Sequence, residues 1–130
     1  MVTTKAYSLN LPENPEAVVF VNGIVARNLP GFLWLWSNLF SMRSLTSKAE
    51  GCFQVKAGII GPNEVLLVSY WHSQEALNKF FQDEWHRKMM KYLYQNIENL
   101  TLWNETYTPA QPGKYIHEPH AMALAYPKTV

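Results

Sequence analysis

The chain has 130 residues, 48% of them hydrophobic and only 16% charged, with a formal net charge of +1. That length suits one domain around a single core, and balanced charge without a basic stripe excludes the usual nucleic-acid binders. Charged residues fall below the ordinary quarter, so apolar surface beyond a normal core needs cover from a twin subunit, a small guest or a membrane.

Residues 1–16 contain Pro12 and Pro15 and show no periodicity, which predicts an extended arm. Ala17 to Ala26 is a strand with apolar residues on both faces. Its polar interruption, Asn22, shares a face with Val18, Phe20 and Ile24. Gly23 beside it lets another backbone or a ligand come close. Asn28-Leu29-Pro30-Gly31 makes a turn, with Pro30 suited to the first position of a helix running to about Ala49. Phe32, Leu35, Trp36, Leu39 and Met42 form one stripe of that helix, but Leu33, Trp34 and Phe40 fill the opposite side. A helix apolar all round is buried on more than one face or touches lipid. This one is too short for a bilayer, which needs about 20 apolar residues. It also lacks the Lys and Arg of interfacial helices, so burial in protein is preferred over membrane binding.

Gly51 ends the helix. Phe53 to Ile60 is a second strand, joined through Gly61-Pro62-Asn63 to a third at Glu64 to Trp71. That third strand is apolar on either side of Ser69 and reads as covered on both faces. Ser73 caps a second helix, with Glu75 in its first turn. Ala76, Leu77, Phe80, Phe81 and Met89 recur along it at three- and four-residue steps, broken by Trp85-His86, and it frays near Asn96. Leu100 to Tyr107 alternates as a fourth strand: Thr101, Trp103, Glu105 and Tyr107 on one face, Leu100, Leu102, Asn104 and Thr106 on the other. Residues 17–108 thus make the domain. Residues 109–130 form a Pro-rich tail whose Tyr115, Met122, Leu124 and Tyr126 predict packing over the domain or a partner subunit.

The order β-α-β-β-α-β is the ferredoxin-like α+β arrangement: a four-stranded antiparallel sheet with two helices on one face. The other face is left bare although the strands are apolar on both sides. A second copy of the sheet is the simplest cover, so a homodimer is expected. The lone Cys52 excludes an internal disulfide, and no basic-then-apolar leader opens the sequence; a reducing, cytoplasmic setting is expected.

Several stretches together resemble a bacterial and fungal monooxygenase-like family of the dimeric α+β barrel superfamily, which includes the antibiotic-biosynthesis monooxygenases. They are Tyr70-Trp71-His72-Ser73-Gln74-Glu75-Ala76-Leu77, the later His86, and Trp103-Asn104-Glu105-Thr106-Tyr107 followed by Gly113-Lys114-Tyr115. Val18-Val19-Phe20-Val21-Asn22-Gly23 is similar to that family's first strand, and the resemblance covers residues 17–115. It implies an enzyme of secondary metabolism acting on polyketide- or terpenoid-like intermediates, often oxidising them without metal or flavin. Related barrels include haem-degrading enzymes and non-oxidative cyclases and isomerases. Many relatives carry a histidine on the last strand where this chain has Asn104, so a proton transfer by that histidine is absent here or assigned elsewhere.

Few side chains in the apolar stretches are fit for chemistry. His86 is either an acid/base group, which the resemblance favours, or a surface histidine near Glu84 and Arg87. Asn22 must find hydrogen-bond partners in its apolar strand. A neighbouring side chain would do, and so would a substrate carbonyl, dioxygen or an enolate oxygen. Glu105 is a base if buried, or a partner for Lys56 or Arg27. Trp71 fills the core or walls a pocket, and His72 sits at the helix entrance in solvent. The expected pocket is lined by Phe20, Asn22, Trp36, Phe40, Trp71, Phe81, Trp85 and His86. His117-Glu118-Pro119-His120 lacks the third ligand and fixed geometry of zinc sites, so no metal is expected. Cys52 reads as core. No phosphate loop, dinucleotide fingerprint, nucleophile elbow or Cys-x-x-Cys pair is present.

The expected activity is cofactor-independent oxygenation of a hydrophobic aromatic or polycyclic metabolite. The alternatives are a non-oxidative cyclase, isomerase or dehydratase in the same pocket, a binder of haem or another flat ligand through His86, and a membrane-peripheral module using Phe32 to Phe40.

Overall fold

The structure, a computed structural model, describes residues 6–129. In chain order the elements are β1 (Ala6–Tyr7), β2 (Val18–Ala26), α1 (Leu29–Ser47), β3 (Cys52–Gly61), β4 (Glu64–Trp71), α2 (Gln74–Phe81), α3 (Glu84–Gln95), β5 (Leu100–Tyr107) and β6 (Tyr115–Ile116). A short 3₁₀ turn, Ala121–Leu124, closes the tail. The main sheet is antiparallel in the order β3-β4-β2-β5, which is the ferredoxin-like topology.

The strands alternate more strictly than their composition suggests. Val65, Leu67, Ser69 and Trp71 of β4 are buried beneath the helices, while Leu66, Val68 and Tyr70 on the reverse are only half-buried. The expectation that this strand is covered on both sides is therefore corrected for the single chain. Val21, Val25, Leu66, Val68 and Trp103 share the face away from the helices. Trp103 lies flat on Gly23, where a Cβ would run into the indole, so this glycine makes room for a side chain.

Helix α1 starts on Asn28, whose side-chain oxygen accepts from the Gly31 N–H at 2.9 Å. Gly31 sits against the Asn99 carbonyl oxygen with no room for a side chain. Only one face of α1 is buried, through Leu35, Leu39 and Met42, whereas Leu33 and Phe40 are exposed. The two-sided burial expected of this helix is corrected accordingly. The helix ends at Ser47, and Gly51, at φ +88°, instead makes the turn into β3.

The single second helix expected from the sequence is two helices. Ser73 Oγ caps α2 by accepting from the Ala76 N–H at 3.1 Å. The chain then tightens, with the Gln82 and Asp83 N–H groups donating to the carbonyls of Lys79 and Phe80 at 3.0 and 3.1 Å. Asp83 caps a fresh start by accepting from the Glu84 N–H at 2.9 Å. The break re-aims the chain, so that Trp85, His86 and Met89 turn to the sheet together with Phe80 and Phe81.

The core between sheet and helices has two parts. Ile24, Leu35, Leu39, Val65 and Leu67 cluster under α1, and Val18, Phe20, Trp71, Leu77 and Phe80 cluster under α2. A third cluster of Leu9, Ala17 and Met122, backed by Tyr7, Phe53, Tyr70 and Tyr126, covers one end of the reverse face. Arm and tail hold each other there: β1 pairs with β6, Asn10 N–H donates to the Pro127 carbonyl at 2.8 Å, and Thr129 N–H to that of Ser8 at 3.0 Å. The Tyr126 hydroxyl accepts from the Ala17 N–H at 3.0 Å. The tail thus folds back on its own domain. No helix among the described residues is long and apolar enough to cross a membrane.

Candidate active site

Four elements converge on one cavity. β2 brings Phe20 and Asn22 on its helix-facing side, and β5, in register, sets Asn104 opposite Asn22 and Leu102 opposite Ile24. The break at Asp83 then brings in His86, Met89 and Met90 from α3, with Phe81 from the end of α2. Together they line a half-open cavity of about 210 Å³. A smaller pocket of about 30 Å³ shares Asn22 and His86 with it and is lined also by Ser69, Met42 and Trp85.

His86 is half-buried among aromatic rings, with centroids at 5.0 Å to Phe80, 5.3 Å to Phe81 and 5.9 Å to Trp85. Burial lowers its pKa below the ordinary 6.5, against smaller opposing effects of the Phe81 carbonyl and the Asp83 carboxylate. The imidazole is therefore neutral near pH 7 and able to take a proton. Asn22 is the second polar group: its Oδ1 is buried with no hydrogen-bond partner. A neutral base and an amide inside apolar walls suit a reaction in which a proton leaves a substrate and negative charge grows beside the amide.

The profile of the family described as monooxygenase af470-like matches residues 17–118. The chain belongs to this family. No curated protein matches it. Among solved structures it is similar to SnoaB, a cofactor-independent oxygenase from Streptomyces nogalater, with 14% identity, TM-score 0.59, and coverage of 74% of this chain and 95% of that one. It is also similar to Rv0793 from Mycobacterium tuberculosis (20% identity, TM-score 0.58, 72% and 96% covered). Protein SO0527 from Shewanella oneidensis is a further likeness (15% identity, TM-score 0.59, 85% and 98% covered). At these identities the three share a fold with this monooxygenase-like chain.

Of the residues expected at the pocket, the structure brings together Phe20, Asn22, Phe81, Trp85 and His86. Three others, and the candidate base Glu105, lie elsewhere. Trp71 is fully buried core, its Nε1–H donating to Ser69 Oγ at 2.8 Å. Trp36 is at the β3–β4 turn, its Nε1–H donating to the Pro62 carbonyl at 2.9 Å. Phe40 is exposed over an outer groove beside Arg43 and Lys56. Both sit one residue past the buried Leu35 and Leu39, and about 100° of helical rotation turns them off the sheet. Glu105 pairs with Val21 on the reverse face and is exposed; its carboxylate beside the Tyr107 hydroxyl raises the Tyr107 pKa. No ion pair to Lys56 or Arg27 holds it among the described residues.

The remaining histidines lie outside the cavity. His72 is exposed against Phe53, and His120 in the tail sits 3.2 Å from Lys56 Nζ and 3.7 Å from Glu118. No three metal-ligating side chains converge among the described residues. Cys52 is half-buried beside the Phe20 and Trp71 cluster, and burial raises its thiol pKa. Sequence reasoning missed Asn104, Leu102, Met89 and Met90 as cavity walls. The signal for Asn104 was its place on the β5 face opposite Glu105.

Proposed function

We propose that the cavity binds a hydrophobic aromatic or polycyclic intermediate, of polyketide- or terpenoid-like character, and oxidises it with dioxygen without metal or flavin. The reading is carried by His86 and Asn22 facing one apolar cavity, the first neutral and the second with an unpaired buried oxygen. The likeness to SnoaB, itself a cofactor-independent oxygenase, supports it. His86 takes a proton from an activated C–H or O–H. The Asn22 side-chain N–H donates to the oxygen on which charge develops, its unpaired oxygen accepts from a substrate O–H or N–H, and the apolar walls exclude water while the electron-rich anion meets dioxygen.

Anthrone is a suitable probe: its CH₂ becomes C=O and one dioxygen gives one water, so no outside reductant is needed. Wild-type protein is expected to consume oxygen and form anthraquinone, and Asn22→Ala to be slower by about 10²-fold. Equal rates for the two proteins, or no rate above buffer, would remove this assignment. The same pair also serves a proton transfer without oxygen, in a cyclase, isomerase or dehydratase, since neither group needs oxygen to act. Turnover of the native substrate that persists under nitrogen would select that reading. Three rings crowd the His86 imidazole, so added haemin is expected to give no ligated Soret band; a band lost on His86→Ala would instead establish the haem-binding alternative.

The active unit is a homodimer closed through the reverse sheet face, supported by Val21, Val25, Leu66, Val68 and Trp103 standing there without helix cover. Light scattering is expected to give twice the chain mass for the wild type and a single chain mass for Val68→Glu. A wild-type monomer at micromolar concentration contradicts this. The cytoplasm, where the lone Cys52 stays reduced, is the compartment this reading implies.

A further inference from the structure

Asn22 and Asn104 are directly opposite on β2 and β5, on the side turned to the helices, and both line the cavity beside His86. Opposed residues on antiparallel strands hold their Cβ atoms about 4.5–5.5 Å apart, so two primary amides stand side by side on one wall. Each has an acceptor oxygen and a donor nitrogen, and turning an amide over only exchanges their places. The Asn22 Oδ1 is buried and unpaired, and the side chains of Phe20, Leu102 and Met90 offer it no donor. A buried acceptor in that condition is relieved when a bound molecule brings an N–H or O–H to it. Asn104, more exposed, offers an N–H to whatever acceptor lies alongside.

We propose that the two amides together read one edge of the substrate. They select molecules in which an O–H or N–H donor adjoins a carbonyl acceptor, as in a hydroxy-ketone, an enolised β-dicarbonyl or a cis-lactam. This rests on the cavity being the substrate site and adds the polar pattern the substrate must carry. Asn104 is a specificity-determining residue here and not a base, because a carboxamide is neither protonated nor ionised near neutral pH.

The test uses three flat two-ring probes. 2-Quinolone carries adjacent N–H and C=O, 1-methyl-2-quinolone keeps only the carbonyl, and naphthalene has neither. Binding is followed by tryptophan fluorescence, since Trp85 borders the cavity, and checked by calorimetry. Wild-type protein is expected to bind 2-quinolone about tenfold more tightly than either other probe. Asn104→Leu and Asn22→Leu should each reduce that preference to about twofold or less, with naphthalene affinity kept within about threefold. Naphthalene binding with no lactam preference in the wild type overturns the inference while the cavity reading stands. So does a preference that survives Asn104→Leu, or an Asn104→Leu protein that loses only thermal stability. Failure of all three probes to bind sinks the cavity reading and this inference with it. Should Asn22→Leu not fold, Asn104→Leu at the exposed position decides alone.

Discussion

Replacing His86 with glutamine is expected to lower turnover by about 10²- to 10⁴-fold, the usual contribution of a positioned general base, while the protein stays folded. Glutamine keeps a polar side chain of similar reach at the third position of α3 but cannot accept a proton near neutral pH. The neighbouring groups give no substitute: Asn22 and Asn104 do not titrate, Glu105 is on the reverse face, and the tail histidines are outside the cavity. A pH profile separates a base from a packing role. The folded-state pKa of His86 lies below 6.5 because burial penalises the charged ring. The acid limb of the rate should therefore fall below pH 6.5 and vanish in the glutamine variant.

Stability follows with a definite sign. A histidine whose pKa is depressed on folding contributes fully above its unfolded value. As pH drops from that value through the folded one, the unfolded chain binds the proton first and stability is lost. Unfolding midpoints in this window should fall less steeply with acid for His86→Gln than for the wild type. An identical slope, together with wild-type rates, would make His86 a bystander.

Trp71→Ala is expected to cost about 3–5 kcal/mol, the range for deleting a large buried aromatic side chain, and urea unfolding measures it. Trp71 has no exposed surface and fills the space between Val18, Phe20, Leu77 and Phe80, with its ring 4.9 Å from that of Phe80. Removing it leaves a cavity and also strips Ser69 Oγ of its indole donor. Because Phe80 supports the aromatic shell around His86, the damage should reach the site indirectly. Activity is then expected to fall with folded fraction and through a raised KM. A loss below about 1 kcal/mol would show that the second core cluster collapses around the gap, contrary to its packing.

Local signals carried much of this architecture. β4 runs from Glu64 to Trp71 as its apolar run and flanking turns imply, and Ser73 caps the next helix through the side chain that the pattern singles out. Asn22 was legible as an oddity because an amide in an apolar strand demands a partner, and the structure leaves its oxygen without one. Two other features escaped. Alternation tells which β5 residues share a face but not which face the helices cover, so Glu105 and Asn104 exchanged importance once the register was known. The apolar spacing is interrupted at Trp85-His86, but a new helix start depends on two backbone hydrogen bonds and an Asp83 cap that periodicity does not register. Trp36 and Phe40 show the same limit in α1, where the first ends half-buried at the β3–β4 turn and the second at the surface, neither in the pocket.

The most direct measurement is a crystal structure of the protein soaked with 1,8-dihydroxyanthraquinone, an unreactive relative of the anthrone product that carries O–H donors beside a carbonyl. The ligand is expected between β2 and α3, edged by Asn22 and Asn104 and with His86 within hydrogen-bonding reach of its ring system. Density confined to the outer groove by Phe40 and Arg43, or an empty cavity at saturating ligand, would contradict the site built here.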